Sequence, residues 1–171
     1  MKVTLRIRGD LYEHVLRDLR RPHAFAAERV GFLGGSLGRI SKNELIVLFN
    51  NYYPVADDLY IDDWTVGARI NSEAIRRAMQ VVLDTGQSIY HVHLHDWRGF
   101  PSPGTTDRRE IPPIVKSLHN VGLPHTPHGF IVLSKDRAAA FTSIDKPSDL
   151  LPAFRVAVVG RAIQFLEEDL S

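Results

Sequence analysis

The stretch HVHLHDWRGFPSPGTTD, residues 91–107, decides how this chain is read. Three histidines alternate with Val92 and Leu94, and successive side chains of a strand point to opposite faces of a sheet. His91, His93 and His95 therefore share one face, and the two apolar residues share the other. A strand divided in this way lies at an exposed surface or along the wall of a cleft. The twelve residues after His95, DWRGFPSPGTTD, hold two prolines, two glycines and several short polar side chains. Such a composition breaks regular structure, so the strand runs into a tight loop. That loop delivers Asp107 to the start of the next turn or helix.

Two histidines at i and i+2 on a strand are close enough to share one metal ion, and neutral imidazole is a good zinc ligand. A lone His-x-His is more often a strand with solvent-facing rings. A lone aspartate at a helix start is explained by the helix dipole. Side by side, the two make a His, His, Asp set. Three protein ligands leave a fourth position for water, as catalytic rather than structural zinc requires. Zinc held in this way brings the pKa of its water toward neutrality and polarises a substrate carbonyl. The chemistry also needs a proton carrier that is not itself a ligand. Glu28 is the candidate, immediately before the apolar, glycine-rich RVGFLGGSL (29–37). By itself Glu28 reads as a solvated charge at a strand start.

Outward from this stretch, the chain alternates strand and helix patterns. VTLRIR (3–8) has the period of a half-buried strand. LYEHVLRDLRR (11–21) places Leu11, Val15, Leu16 and Leu19 at helical spacing, with Asp10 as N-cap. Residues 29–37 and 43–53 are expected to form two strands of a hairpin joined through GRISK. YPVADDLYIDDWTVGA is an irregular acidic connection. NSEAIRRAMQVVLDTG (71–86) is the clearest helix, capped by Asn71 or Ser72, stopped by Gly86, with an apolar stripe of Ile75, Met79, Val82 and Leu83. SIYHVHLH (88–95) is a strand. The following helix is expected to start at Pro112 or Pro113, where a missing N–H costs least. GFIVLSKDRAAAFTS (129–143) is a hairpin turning near Lys135 and Asp136. FRVAVVGRAIQFLEEDL is open between a strand and a final helix. The order βαββαβαββ with a C-terminal element predicts a mixed sheet with helices packed on it.

Composition excludes several functions. With 21 Lys and Arg against 20 Asp and Glu, there is no bulk charge to attract nucleic acid or a membrane surface. The absence of cysteine removes disulfides, a thiol nucleophile and thiolate metal sites together. It also fits a reducing compartment. The opening MKVTLRIRGDLYEHV lacks the apolar run of a signal peptide. No apolar stretch approaches the roughly 20 residues that span a bilayer. The 171 residues fit one domain, 1–171, with room for a core.

Taken together, ERVGFLGG (28–35) and HLHDWRGFPSPGTTD (93–107) resemble the JAMM metalloproteases of the JAB/MPN family. The pattern of that family is a Glu before an apolar G-x-L-x-G strand, then much later His-x-His, a short Pro-rich loop and Ser-x-x-Asp. The resemblance covers roughly residues 1–145, and the pair of motifs is more specific than either half. It implies a cytidine deaminase-like, MPN/JAB-type α/β fold of the α+β kind, a mixed β-sheet flanked by helices. It also implies that His93, His95 and Asp107 bind Zn2+ and that Glu28 is the general acid/base. The His93/His95 register leaves 11 residues before Asp107, close to the family spacing, and makes His91 an outer neighbour of the ligands. Two departures stand out. The Pro expected after the second His is Asp96, and the expected Ser position is Gly104. Ser102 and Thr105 are the hydroxyls left to stabilise an oxyanion, with Ser102 preferred.

The resemblance further implies a zinc-dependent metallo-isopeptidase or protease that cuts after the C-terminal tail of a ubiquitin-like protein. It would act in deconjugation or precursor processing, in the cytoplasm, beside E1-like and E2-like enzymes and in antiviral systems among others. The substrate tail would add as a strand beside the sheet. Alternatives are a non-catalytic MPN scaffold and a hydrolase of small amide conjugates. The remaining histidines carry less. His119 is explained by a helix C-terminus, and His125 and His128 by a surface loop more readily than by a cleft wall. Trp97 and Phe100 are expected to pack the active loop down.

Overall fold

A computed structural model describes residues 1–24, 26–146, 149–160 and 162–166. Its strands are β1 (Lys2–Arg8), β2 (Val30–Ser41), β3 (Glu44–Pro54), β4 (Ser88–Leu94), β5 (His128–Leu133), β6 (Ala138–Ser143), β7 (Leu151–Pro152), β8 (Arg155–Val159) and β9 (Ile163–Phe165). The helices are α1 (Gly9–Leu19), α2 (Ser72–Thr85) and α3 (Thr105–Val121). All nine strands join one mixed sheet in the order β7-β6-β5-β4-β2-β3-β1-β8-β9. The pairs β1/β3, β1/β8 and β4/β5 are parallel, and the other pairs are antiparallel. Parallel neighbours need a crossover, and α3 supplies it between β4 and β5. Among the described residues no helix is long and apolar enough to cross a membrane.

The two faces of the sheet are covered differently. On one face, Tyr12, Val15 and Leu19 of α1 pack on Leu5, Val47, Phe49, Tyr90, Val92 and Ile131. On the other, Ala74, Ala78 and Val82 of α2 meet Val30, Phe32, Ile89 and the α3 residues Ile114 and Leu118. Farther along α3, Ile111 and Val115 close over Phe130 and Val132. The molecule is thus an α+β arrangement, a mixed sheet flanked by helices. Each fully buried aliphatic side chain contributes about 1.5–3 kcal/mol.

Local chemistry explains the element boundaries, and it corrects several expectations. Asn71 caps α2, its Oδ1 accepting from the N–H groups of Glu73 and Ala74 at 3.0 and 3.1 Å. Gly86 ends α2 at φ 65°, a conformation that costs glycine little. The expected stripe of α2 is met in part: Val82 is buried, and Ile75 and Met79 are partly buried against the same core. Ala74, Ala78 and Val82 face the sheet, while Leu83 is exposed, because the small alanines allow closer approach. Asp10 does not cap α1. The helix begins two residues earlier, with Arg8 at the cap, and Asp10 pairs with Arg8 in its first turn.

The largest boundary error concerns α3, which begins at Thr105 and carries Pro112 and Pro113 in its interior. An interior proline costs about 3 kcal/mol through the missing N–H and the clash with the preceding turn. The earlier start is favoured by Asp107, whose Oδ2 accepts from Gly104 N–H at 2.8 Å. Burial of Ile111, Ile114, Val115 and Leu118 offsets the proline cost. At the other end of the chain, the ambiguous segment forms the β8–β9 hairpin. The part of that segment at residues 167–170 lies outside the described residues.

Candidate metal centre

β4 sits between β2 and β5, and all seven of its residues are buried. Tyr90, Val92 and Leu94 point into the α1 core. By strand alternation His91, His93 and His95 take the opposite face. His91 and His93 are 5% and 1% exposed, while His95, just past the strand, is half-buried. The histidine face is therefore not a solvated surface. It is the floor of a cleft of about 800 Å³ whose walls include Glu28, residues of the 61–70 loop, and the start of α3 with Thr105, Thr106 and Asp107.

Glu28 reaches this floor because the chain before β2 is tied down. Its own N–H donates to Gly67 O at 2.7 Å. The next residue, Arg29, is 3% exposed. Arg29 donates to Arg21 O and Pro22 O at 2.9 Å each and to Asp57 Oδ1 at 2.7 Å. Val30 N–H then donates to Tyr60 Oη at 2.9 Å. Val30 lies opposite His93 in the β2/β4 ladder, which brings the residues before it to the histidine end of β4.

One ligand atom from each of Glu28, His93 and His95 lies within 4.8 Å of the others, a grouping that could hold a metal ion. Asp107 faces the same group, with Oδ2 3.5 Å from His93 Nε2. That distance and direction do not make a hydrogen bond, so both ring nitrogens of His93 are buried without a hydrogen-bond partner. A nitrogen so placed loses its water without a protein replacement, which is costly unless a cation or another donor meets it. The residues present therefore fit a divalent metal. Asp107 also caps α3, so the helix-terminus role and the ligand role fall on the same carboxylate.

The electrostatics suit metal binding, which takes neutral imidazole and ionised carboxylate. Burial, reinforced by His93, pushes His91 down to about 3, against a weaker upward pull from Asp107. His95 is also lowered, by burial first and His93 second, with Glu28 and Asp107 opposing. For Asp107 burial acts upward, but His93, the Gly104 N–H and His95 outweigh it and hold the carboxyl at about 2.

The six sequence candidates do not all converge. Glu28, His93, His95, Asp107 and Thr105 line the cleft, whereas Ser102 is exposed and is not part of its wall. Of the two hydroxyls, Thr105 is the one that lines the cleft, because α3 starts early enough to place Thr105 and Thr106 there. Trp97 and Phe100 do not pack the loop down: they are 45% and 44% exposed. The Trp97 ring lies roughly parallel to that of His95 at 6.0 Å. His125 pairs with Asp145 at the surface. His128 is not in a surface loop, being fully buried on β5 with Nδ1 accepting from Ile89 N–H at 3.1 Å. His119 packs against it with ring centroids 4.9 Å apart. His119 lies in the last turn of α3, as expected, and burial lowers its pKa.

Sequence reasoning missed Gly67, Arg29 and Tyr60, whose hydrogen bonds hold the chain around Glu28. Their partners lie in other segments of the chain, and most are backbone groups, so no local signal marked them.

No family model and no curated protein matches the chain. Among solved structures it is similar to the Trichoplax adhaerens STIL N-terminal domain, at 13% identity and a TM-score of 0.40. The match covers 82% of this chain and 41% of that one, so the chain spans less than half of that neighbour's length. At that identity and score the likeness assigns neither a fold family nor an activity.

Proposed function

We propose that the chain is a zinc-dependent metallo-isopeptidase or protease of the JAMM type, with an MPN/JAB-like fold. The observation that carries this reading is the meeting of Glu28, His93 and His95 within 4.8 Å in an open cleft, beside Asp107. His93, His95 and Asp107 would hold the metal. A zinc ion there supplies a Lewis acid and an acidified water.

Glu28 accepts the proton of the attacking water and passes it to the leaving amine nitrogen. Asp107, with its pKa held at about 2, stays ionised throughout the neutral range. Thr105, which lines the cleft, would donate its hydroxyl to the developing oxyanion. The substrate we propose is the C-terminal tail of a ubiquitin-like protein or its conjugate, handled beside E1-like and E2-like enzymes in the cytoplasm. Keeping both histidines and both carboxylates together favours an enzyme over a non-catalytic scaffold.

Metal analysis together with cleavage of a panel of ubiquitin-like fusions and conjugates tests the proposal. One zinc per chain and cleavage after the tail are expected. Zinc-loaded protein that cuts no member of the panel but hydrolyses small amide conjugates would move the substrate class. Protein that takes up no metal would sink the reading.

A further inference from the structure

We infer that Gly67 is a positioning residue for Glu28, an inference that rests on the metal-centre reading above. The 61–70 loop is closed at its base by the Tyr60/Ile70 bridge and by Ile61 N–H donating to Arg69 O at 2.8 Å. Asp63 braces it from within, accepting from Thr65 N–H at 3.1 Å, from Thr65 Oγ1 and from Arg69 Nη1 at 3.1 Å. Gly67 thereby has a fixed place over the cleft.

Two contacts then act on Glu28. Gly67 O accepts the Glu28 N–H at 2.7 Å, which sets the backbone. The Gly67 Cα packs directly on the carboxylate. A methyl group built on Gly67 would lie 2.5 Å from Glu28 Oε2 and 2.7 Å from Cδ. Any larger residue must therefore move the carboxylate away from where it now meets His93 and His95.

The need for glycine here is steric and not conformational. Gly86 and Gly99 are the glycines with positive φ among the described residues, and Gly67 is not one of them. Alanine can therefore adopt the same backbone, and its effect passes to a flexible side-chain end. The substitution moves a functional group with little strain on the fold.

The test uses cobalt(II) alone, added to metal-free protein and read by its visible spectrum and affinity. Gly67→Ala should alter the band shape and weaken binding on the order of tenfold, as loss of an outer partner of a metal site does. In a Glu28→Ala background the same substitution should change neither, because the displaced carboxylate is gone. A Gly67→Ala protein that fails to fold while the double variant folds would locate the clash at the same two groups. An unchanged spectrum and affinity in Gly67→Ala overturns the inference and leaves the metal centre standing. So does an equal effect in both backgrounds, or failure of both variants to fold, since either places the role of Gly67 in the loop itself. Wild-type protein that binds no cobalt overturns the metal centre and this inference with it.

Discussion

Two histidine clusters, one along β4 and one between α3 and β5, differ in that only the first is equipped for chemistry. His119 and His128 meet edge to face at 4.9 Å. Ile89 N–H occupies His128 Nδ1, and Gly122 closes over Nε2 so tightly that a methyl group there would stand 2.7 Å away. The acid that acts on His119, Asp145, is at the surface and paired with His125. His93 and His95 are also packed ring against ring, at 5.1 Å. They differ in having two carboxylates beside them and a cleft above. Burial of imidazole is common to both clusters. Ionised partners and an opening separate a ligand set from a core pair.

The comparison breaks most sharply under alanine substitution. His95→Ala should lose stoichiometric zinc and all metal-dependent cleavage, read by metal analysis and turnover. His128→Ala should keep zinc and lose about 3 kcal/mol of stability, the upper end for a single buried side chain, read by urea unfolding. If His128→Ala also released the metal, the two clusters would be one functional unit.

Glu28→Gln keeps shape and removes the base. Turnover should fall on the order of 10²–10⁴-fold while one zinc per chain remains bound. Loss of zinc in this variant would make Glu28 the third ligand in place of Asp107.

Thr105→Ala should lower kcat by about 10²–10³-fold if its hydroxyl serves the oxyanion. Ser102→Ala should stay within about twofold of wild type, since an exposed surface substitution changes little. The reverse pattern would restore the preference drawn from the motif.

The smallest effect is in pH. Burial, with a smaller contribution from His119, pushes His128 down to about 3 in the folded protein, against about 6.5 for an unperturbed imidazole. The unfolded chain therefore binds a proton that the folded chain refuses. The stabilisation from neutral His128 is fully present above about 6.5 and is lost as pH falls toward 3, by at most about 1.4 kcal/mol per pH unit. His128→Asn retains an acceptor for Ile89 N–H and removes the titration. Unfolding of metal-free protein at pH 5 and pH 7 should show a shallower slope for this variant. An unchanged slope would show that His128 is not the group responsible.

Much of the fold was legible because strong local patterns coincide with burial. The Asn71 cap and Gly86 stop of α2, the alternation in β1 and β4, and the β5–β6 turn all rest on interactions within a few residues. The failures are equally physical. The prolines of α3 indicate a helix start by propensity, yet the Asp107 cap and the apolar face from Ile111 to Leu118 carry the helix through them. The stripe of α2 was incomplete because Ala74 and Ala78 look neutral in sequence, and become core only against a sheet. His128 looked like a loop residue because its Pro-rich neighbours hide the start of β5.

The sequence by itself determined the chemistry available at the site. It supplied three alternating histidines, an aspartate delivered by a short loop, an acid before an apolar strand, and no cysteine. Only the tertiary structure decided which of these groups meet. Glu28 and His93 are 65 positions apart in the chain and come together because β2 and β4 are hydrogen-bonded neighbours. Gly67 and Glu28 are 39 positions apart in the chain and meet through a backbone hydrogen bond. Thr105 lines the cleft and Ser102 does not because α3 starts at Thr105 instead of at its prolines. Such contacts depend on distances between segments far apart in the chain, which local periodicity and residue type do not encode.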